Sequence, residues 1–132
     1  MEPEFSVLVV DDNESIREVL AVILSGSGYR CESAKNGVEA MQRVRQARFD
    51  AVVTDLEMPE MDGIALTREI RQHFSSLPVM VMTGHSDEEH RETAFRVGAR
   101  EFLGKPFDLP DLIRKLHGML HGHKGRAASE RA

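Results

Sequence analysis

"AVVTDLEMPEMDG", residues 51–63, begins with an apolar run that ends on a carboxylate. Three apolar residues and a threonine show no alternation of polar and apolar positions, so the run reads as a strand covered on both faces. Asp55 stands at its mouth, followed by Leu56-Glu57-Met58, a proline and Asp62-Gly63. Ile64 to Phe74 then reads as a helix, with Asp62 placed to cap it. Met58 and Met61 read as loop packing. Taken alone, Asp55 is better explained as an acidic turn residue than by a functional role.

The same unit recurs on either side. "FSVLVV" (5–10) is a short β-branched run, followed by Ile16, Val19, Leu20, Ile23 and Leu24 at the spacing of one helix face. "GSG" (26–28) stops that helix. "YRCESA" (29–34) reads as a weaker strand, and Val38, Met41 and Val44 mark a second helix. "LPVMVMT" (77–83) is a fourth strand, with Pro78 tolerated at its start. Residues 86–99 form a helix capped by Ser86 or Asp87, with a thin apolar stripe that leaves it at the surface. "REFLG" (100–104) is a fifth strand, and Leu109, Leu112, Ile113, Leu116 and Leu120 repeat the helical spacing. After Gly122 no periodicity remains. Five strands alternating with five helices imply parallel strands with helical crossovers on both faces. The expected fold is therefore α/β: a doubly wound, five-stranded parallel sheet of order 2-1-3-4-5, the flavodoxin-like (βα)5 arrangement. Residues 1–120 make the domain, and 121–132 a flexible tail or the start of a linker.

A chain of 132 residues fits one domain with a real core. Its formal charge is −5; Lys124, Arg126 and Arg131 against Glu130 give the last twelve residues +2, leaving about −7 on the rest. Such a surface argues against a direct grip on nucleic acid. No apolar run is long enough to cross a membrane, and the start "MEPEF" has no signal-peptide character. The single Cys31 excludes an internal disulfide, fits the cytoplasm, and reads as a small buried strand residue. His117, His121 and His123 near the end read as solvated rather than as metal ligands.

In an open parallel sheet, ligands bind beyond the carboxyl ends of the strands, where the strand order reverses. Asp11 and Asp12 follow the first strand, Asp55 the third, Thr83 and Gly84 the fourth, and Lys105 and Pro106 the fifth. Each has a bland reading: Asp11 or Asp12 as a helix cap, Thr83 as a loop hydroxyl, Lys105 as a solvated charge. The fold nevertheless brings them to one edge. Three converging carboxylates repel, so one is protonated or a cation sits among them. Oxygen donors without sulfur or a convergent imidazole favour a hard ion, Mg²⁺ or Mn²⁺, which then awaits a phosphoryl oxygen. Lys105 and the Thr83 hydroxyl complete a phosphate site, and an ionised carboxylate can be the nucleophile that yields an aspartyl-phosphate.

Taken together, "VVDD" (9–12), "TDLEMPEMDG" (54–63), "VMTGH" (81–85) and "FLGKPF" (102–107) resemble a response-regulator receiver domain of two-component signalling, over about residues 5 to 120. The resemblance implies that Asp55 is the phosphoacceptor. It makes Asp12 the direct metal ligand, Asp11 a ligand through water, and the Glu57 backbone carbonyl a third oxygen. Thr83 and Lys105 contact the phosphoryl group, and the Lys105–Pro106 bond is cis. Thr83 moving toward the phosphoryl group and Phe102 rotating inward remodel the face of helix four, strand five and helix five.

The implied donors are a sensor histidine kinase or a histidine phosphotransfer protein. A downstream protein target reads the switched face, through which a homodimer is also compatible. The domain assists its own phosphorylation and dephosphorylation without being an enzyme on other substrates. Glu57 and His85 are either solvated rim residues or groups that time the access of water to the phospho-aspartate. Two output arrangements are open: a free-standing regulator, or the receiver of a longer protein with a DNA-binding, enzymatic or hybrid-kinase module. Two rivals share parts of the pattern. A haloacid-dehalogenase-type phosphatase would need Asp at the position of Glu57 and its metal acids later in the chain. A flavodoxin-like flavin carrier would need backbone donors and hydroxyls where "DDNES" places two carboxylates.

Overall fold

The structure, a computed structural model, describes residues 5–85 and 87–131, with side-chain surroundings through residue 121. The chain alternates β1 (Ser6–Val10), α1 (Glu14–Gly26), β2 (Arg30–Ala34), α2 (Gly37–Gln46), β3 (Ala51–Asp55), α3 (Gly63–His73), β4 (Val79–Thr83), α4 (Glu88–Arg96), β5 (Glu101–Gly104) and α5 (Leu109–Arg131). All neighbouring strands are parallel, in the order β2-β1-β3-β4-β5, as the sequence implies.

The side-chain period of two in the strands divides the core into two layers. Leu8, Val10, Val52, Val79, Val81 and Phe102 face Met41 and Val44 of α2, Leu66 and Ile70 of α3, and Ala94 of α4. Val7, Val9, Ala51, Val53, Met80, Met82 and Leu103 face Leu20 and Leu24 of α1 and Leu112, Leu116, Met119 and Leu120 of α5. Every residue of β3 and β4 is buried, which is what their unbroken apolar sequences require. Pro78 donates no backbone hydrogen bond, but its carbonyl accepts from Val52 at 3.0 Å, so it is accommodated just before β4.

The helix faces are narrower than the spacing suggests. Val19, Val38 and Leu109 are exposed at 53%, 43% and 43%, although each continues an apolar stripe. A helix laid on a flat sheet buries only the arc that points down, here Leu20 and Leu24 in α1, while Ile16 and Ile23 are half-buried at its edge. The α4 helix buries only Ala94, in keeping with its thin stripe, and is shorter than residues 86–99. Asp87 caps it by accepting from His90 N; the alternative cap, Ser86, lies outside the described residues.

Asn13 caps α1, accepting from Ile16 N at 3.1 Å, so neither Asp11 nor Asp12 serves as that cap. Asp62 caps α3 as its position implies. Cys31 is half-buried rather than buried, because β2 is an edge strand; burial pushes its thiol up to about 11, away from reactivity. The α5 helix continues to Arg131, beyond the last described buried side chain at Leu120.

These depths set an expected contrast. Leu24→Ala, within the α1 interface, lowers unfolding free energy in urea by about 2–5 kcal/mol. Val22→Ala, exposed at 73% on the same helix, changes it by less than about 0.5 kcal/mol.

Candidate functional site at the carboxyl edge of the sheet

The registers Val10↔Thr54, Asp55↔Met82 and Thr83↔Gly104 bring the carboxyl ends of β1, β3, β4 and β5 level. The order reverses between β1 and β3, so Asp11 and Asp12 meet Asp55 at the switch point. One carboxylate oxygen from each of Asp11, Asp12 and Asp55 lies within 4.8 Å of the others. Asp11 and Asp55 are buried, at 1% and 5% exposure, whereas Asp12 faces solvent.

Lys105 reaches across from the end of β5. Its ammonium donates to Asp11 Oδ2 at 3.1 Å and stands 3.1 Å from Asp55 Oδ1. The second contact is an ion pair off the hydrogen-bonding direction, because Asp55 Oδ1 is buried and has no hydrogen-bond partner. Asp11 is differently placed: its Oδ1 accepts from Asn13 N at 2.9 Å, so both of its oxygens are engaged. Burial raises the Asp55 carboxyl above the ordinary range, with Asp11 and, more weakly, Glu57 adding repulsion; Lys105 offsets only part of this. For Lys105, burial acts to lower the ammonium pKa, but Asp11 and Asp55 outweigh it and the net shift is upward. The Lys105–Pro106 peptide bond is cis.

The backbone beneath Asp55 is fixed by contact as well as by the sheet. Leu56 N donates to Met82 O at 2.7 Å and Gly63 N to Leu56 O at 2.8 Å. A Cβ at Gly63 would lie 2.3 Å from the Asp55 carbonyl oxygen, so the first residue of α3 packs directly on the end of β3. The Thr67 hydroxyl, wholly buried, donates to Gly63 O at 2.7 Å and ties the next turn to it. The sequence presents Asp62-Gly63 as a cap and helix start; the close approach arises only in the fold.

Thr83 is fully buried, and its hydroxyl accepts from His85 N at 2.9 Å while donating to Glu57 Oε1 at 3.4 Å. Glu57 also pairs with His85 through Oε2 and Nδ1. Glu57 and His85 thus meet each other over the rim, a contact between two loops that no sequence spacing signals. Asp12, Glu57, Met58, Asp62 and His90 line an open cleft beside the carboxylates. Phe102 is buried, packed with Ala94 and Ala99 in one core layer. Met58 and Met61 pack partly against that layer, as loop residues. His117 and His121 are exposed and stack on each other, centroids 4.0 Å apart; the side chain of His123 lies outside the described residues.

Residues 7–117 match the family described as response regulator receiver domain. The chain belongs to that family. It is 41% identical over 107 residues to the DNA-binding transcriptional regulator NtrC of Escherichia coli, covering 81% of this chain and 23% of NtrC. It is 37% identical over 124 residues to the response regulator MprA of Mycobacterium tuberculosis, covering 94% of this chain and 54% of MprA. The chain therefore spans just under a quarter of NtrC and about half of MprA. Among solved structures, the chemotaxis protein CheY4 of Vibrio cholerae superposes with a TM-score of 0.85 at 32% identity, covering 89% of this chain and 100% of that one. A receiver from Pseudomonas putida gives 0.82 at 33%, covering 89% and 98%. The phosphatase and flavin-carrier readings fall away with this membership.

A raised carboxyl pKa means that ionised Asp55 costs folding free energy above the ordinary carboxylate range. Asp55→Asn is therefore expected to raise the melting temperature at pH 7 without divalent metal, by about 3 °C for roughly 1 kcal/mol. The gain shrinks as pH falls through the raised pKa of Asp55, where the wild-type carboxyl takes up its proton. Thermal unfolding of both proteins across pH measures it.

Proposed function

We propose that Asp55 is the phosphoacceptor of this receiver, charged by a phosphohistidine of a sensor kinase or a histidine phosphotransfer protein. The observation that carries the reading is Asp55 itself: a buried carboxylate at the end of the central strand, ion-paired at 3.1 Å with the Lys105 ammonium and beside two further acids. Membership of the receiver family supports it.

The donor set suits Mg²⁺, with Mn²⁺ the alternative. All available donors are oxygen, Asp12 is exposed with no partner among the described residues, and a single ammonium, that of Lys105, faces the two buried carboxylates. Asp12, Asp55 and the Glu57 backbone carbonyl would hold the ion directly. Asp11, whose oxygens are engaged by Lys105 and Asn13 N, would act through water. Once bound, the ion offsets the carboxylate repulsion and the charge of the transferring phosphoryl group.

In the transfer, an Asp55 carboxylate oxygen attacks phosphorus; the new O–P bond forms as the donor's N–P bond breaks, and the electron pair returns to the imidazole nitrogen. Lys105 exchanges part of its carboxylate contact for a phosphoryl oxygen, and the Thr83 hydroxyl leaves Glu57 to donate to another. Hydrolysis reverses the state: water attacks phosphorus and the Asp55 carboxylate is the leaving group. Glu57 and His85, joined across the rim, time that attack by shielding or orienting the water. The domain thus assists its own chemistry and acts on no separate substrate.

Movement of Thr83 frees space along β4, and Phe102 repacks in response, altering the surface of α4, β5 and α5. A downstream protein reads that surface, and a homodimer through it is a second use. The chain's partial coverage of NtrC and MprA fits a receiver joined to an output module, for which residues 121–132 would begin the linker. No helix among the described residues is long and apolar enough to cross a membrane; a cytoplasmic place is proposed from the kinase partnership and the lone Cys31.

Incubation with Mg²⁺ and a small acyl-phosphate donor, followed by intact mass, tests this. One phosphoryl group is expected, with none after chelation of the metal. Asp12→Asn and Lys105→Ala each slow labelling by about 100-fold, while Glu57→Ala and His85→Ala change mainly the lifetime of the product. Metal-independent labelling at the wild-type rate in Asp12→Asn, or unaltered lifetimes in both rim variants, would contradict the respective assignment.

A further inference from the structure

Asp12 stands in solvent without a side-chain partner among the described residues, so the aim of its carboxylate depends on its backbone. That backbone continues from Asp11, whose four polar atoms are all held. Asp11 N donates to Ala34 O at 3.2 Å, Oδ1 accepts from Asn13 N at 2.9 Å, and Oδ2 accepts from Lys105 at 3.1 Å. The fourth atom, Asp11 O, accepts from Nη1 of the half-buried Arg17 at 2.7 Å. The phosphoryl chemistry makes no direct use of Arg17.

Arg17 reaches this oxygen because of its place on α1. Helical side chains lean toward the amino end, so a long one at position 17 sweeps back over the Asn13 cap toward the end of β1. The β1–β3 register ends at Val10↔Thr54, and the guanidinium bonds the first carbonyl beyond it. A peptide unit is planar, so fixing the Asp11 oxygen fixes the plane that also contains the Asp12 Cα. Rotation of that plane would swing the Asp12 carboxylate relative to Asp55.

Charge alone acts in the opposite direction. A cation beside a Mg²⁺ site repels the ion, and a cation near the amino end of α1 opposes the helix dipole. On electrostatics, metal would bind better without Arg17; on position, it would bind worse. The two roles therefore differ in sign.

We propose that Arg17 is a positioning residue for the metal: its bond to Asp11 O holds the Asp11–Asp12 peptide so that the Asp12 carboxylate meets the ion shared with Asp55. This rests on the assignment of Asp12 as a direct ligand. Arg17 touches neither the ion nor the phosphoryl group, and acts through the backbone it clamps.

Calorimetric titration of the full chain with Mg²⁺ tests it, after the melting transition of each variant has been recorded in metal-free buffer. Arg17→Met keeps most of the stem but removes charge and donors, and is expected to weaken Mg²⁺ binding by about 10-fold. Arg17→Lys keeps a cationic donor for what is a single hydrogen bond, and is expected to bind within about 3-fold of wild type. In an Asp12→Asn background, adding Arg17→Met changes the affinity by less than about 2-fold, because the ligand it serves is already altered. Unchanged Mg²⁺ affinity in Asp12→Asn alone removes the ligand assignment, and the proposal with it. Where Asp12→Asn does weaken binding, any of three results overturns the proposal by itself. One is Arg17→Met binding Mg²⁺ as tightly as wild type or more tightly. Another is an undiminished loss from Arg17→Met in the Asp12→Asn background. The third is an Arg17→Met chain with no melting transition, which assigns the residue to the fold instead.

Discussion

Lys105 places a single ammonium between two buried carboxylates, 3.1 Å from an oxygen of each. That contact cannot form unless β1, β3 and β5 end level and in the right order, because its three partners lie 44 and 50 residues apart along the chain. It also cannot satisfy everything: one cation faces three acids within 4.8 Å. The shortfall is distributed unevenly. Asp11 receives a backbone donor as well as the lysine, whereas Asp55 has the ion pair with the lysine and a raised pKa, and Asp12 stays in solvent. Different surroundings give chemically identical side chains different roles. Surplus negative charge on oxygen donors suits a hard cation.

The rigidity of Asp55 has an equally local cause. Its strand is buried along all five residues, and Gly63 rests against its carbonyl where no side chain could fit. The position of the Asp55 backbone is thereby decided by packing. The mobile possibilities lie on the rim, where the Thr83 hydroxyl is held by Glu57 and His85 N rather than by the strand ends. On the proposed reading of Thr83, the contact that responds to phosphorylation is the long 3.4 Å one.

Most of the fold was legible because strand burial leaves an unmistakable apolar run, and the positions after those runs are dictated by topology. Asp11, Asp12, Asp55, Thr83 and Lys105 all arrive at one edge for that reason. Helix faces were less legible. Val19, Val38 and Leu109 satisfy the periodicity yet stand in solvent, since spacing alone does not say how wide an arc the sheet will cover. Asn13 as the α1 cap was overshadowed by two preceding acids that bear on the site instead. The pairing of Glu57 with His85, and of His85 with His90, joins two loops and the first turn of α4, whose approach depends on packing around them, so no local pattern announces it.

The central claim is that Asp55, and no neighbouring acid, carries the phosphoryl group. Peptide mapping of the protein after reaction with Mg²⁺ and an acyl-phosphate donor tests it most directly, with Asp55→Asn treated in parallel. Modification confined to Asp55, and its loss in Asp55→Asn, is the expected result. Equal phosphoryl yield in Asp55→Asn, or a label that maps to Asp11, Asp12 or Glu57 in the wild type, would contradict it.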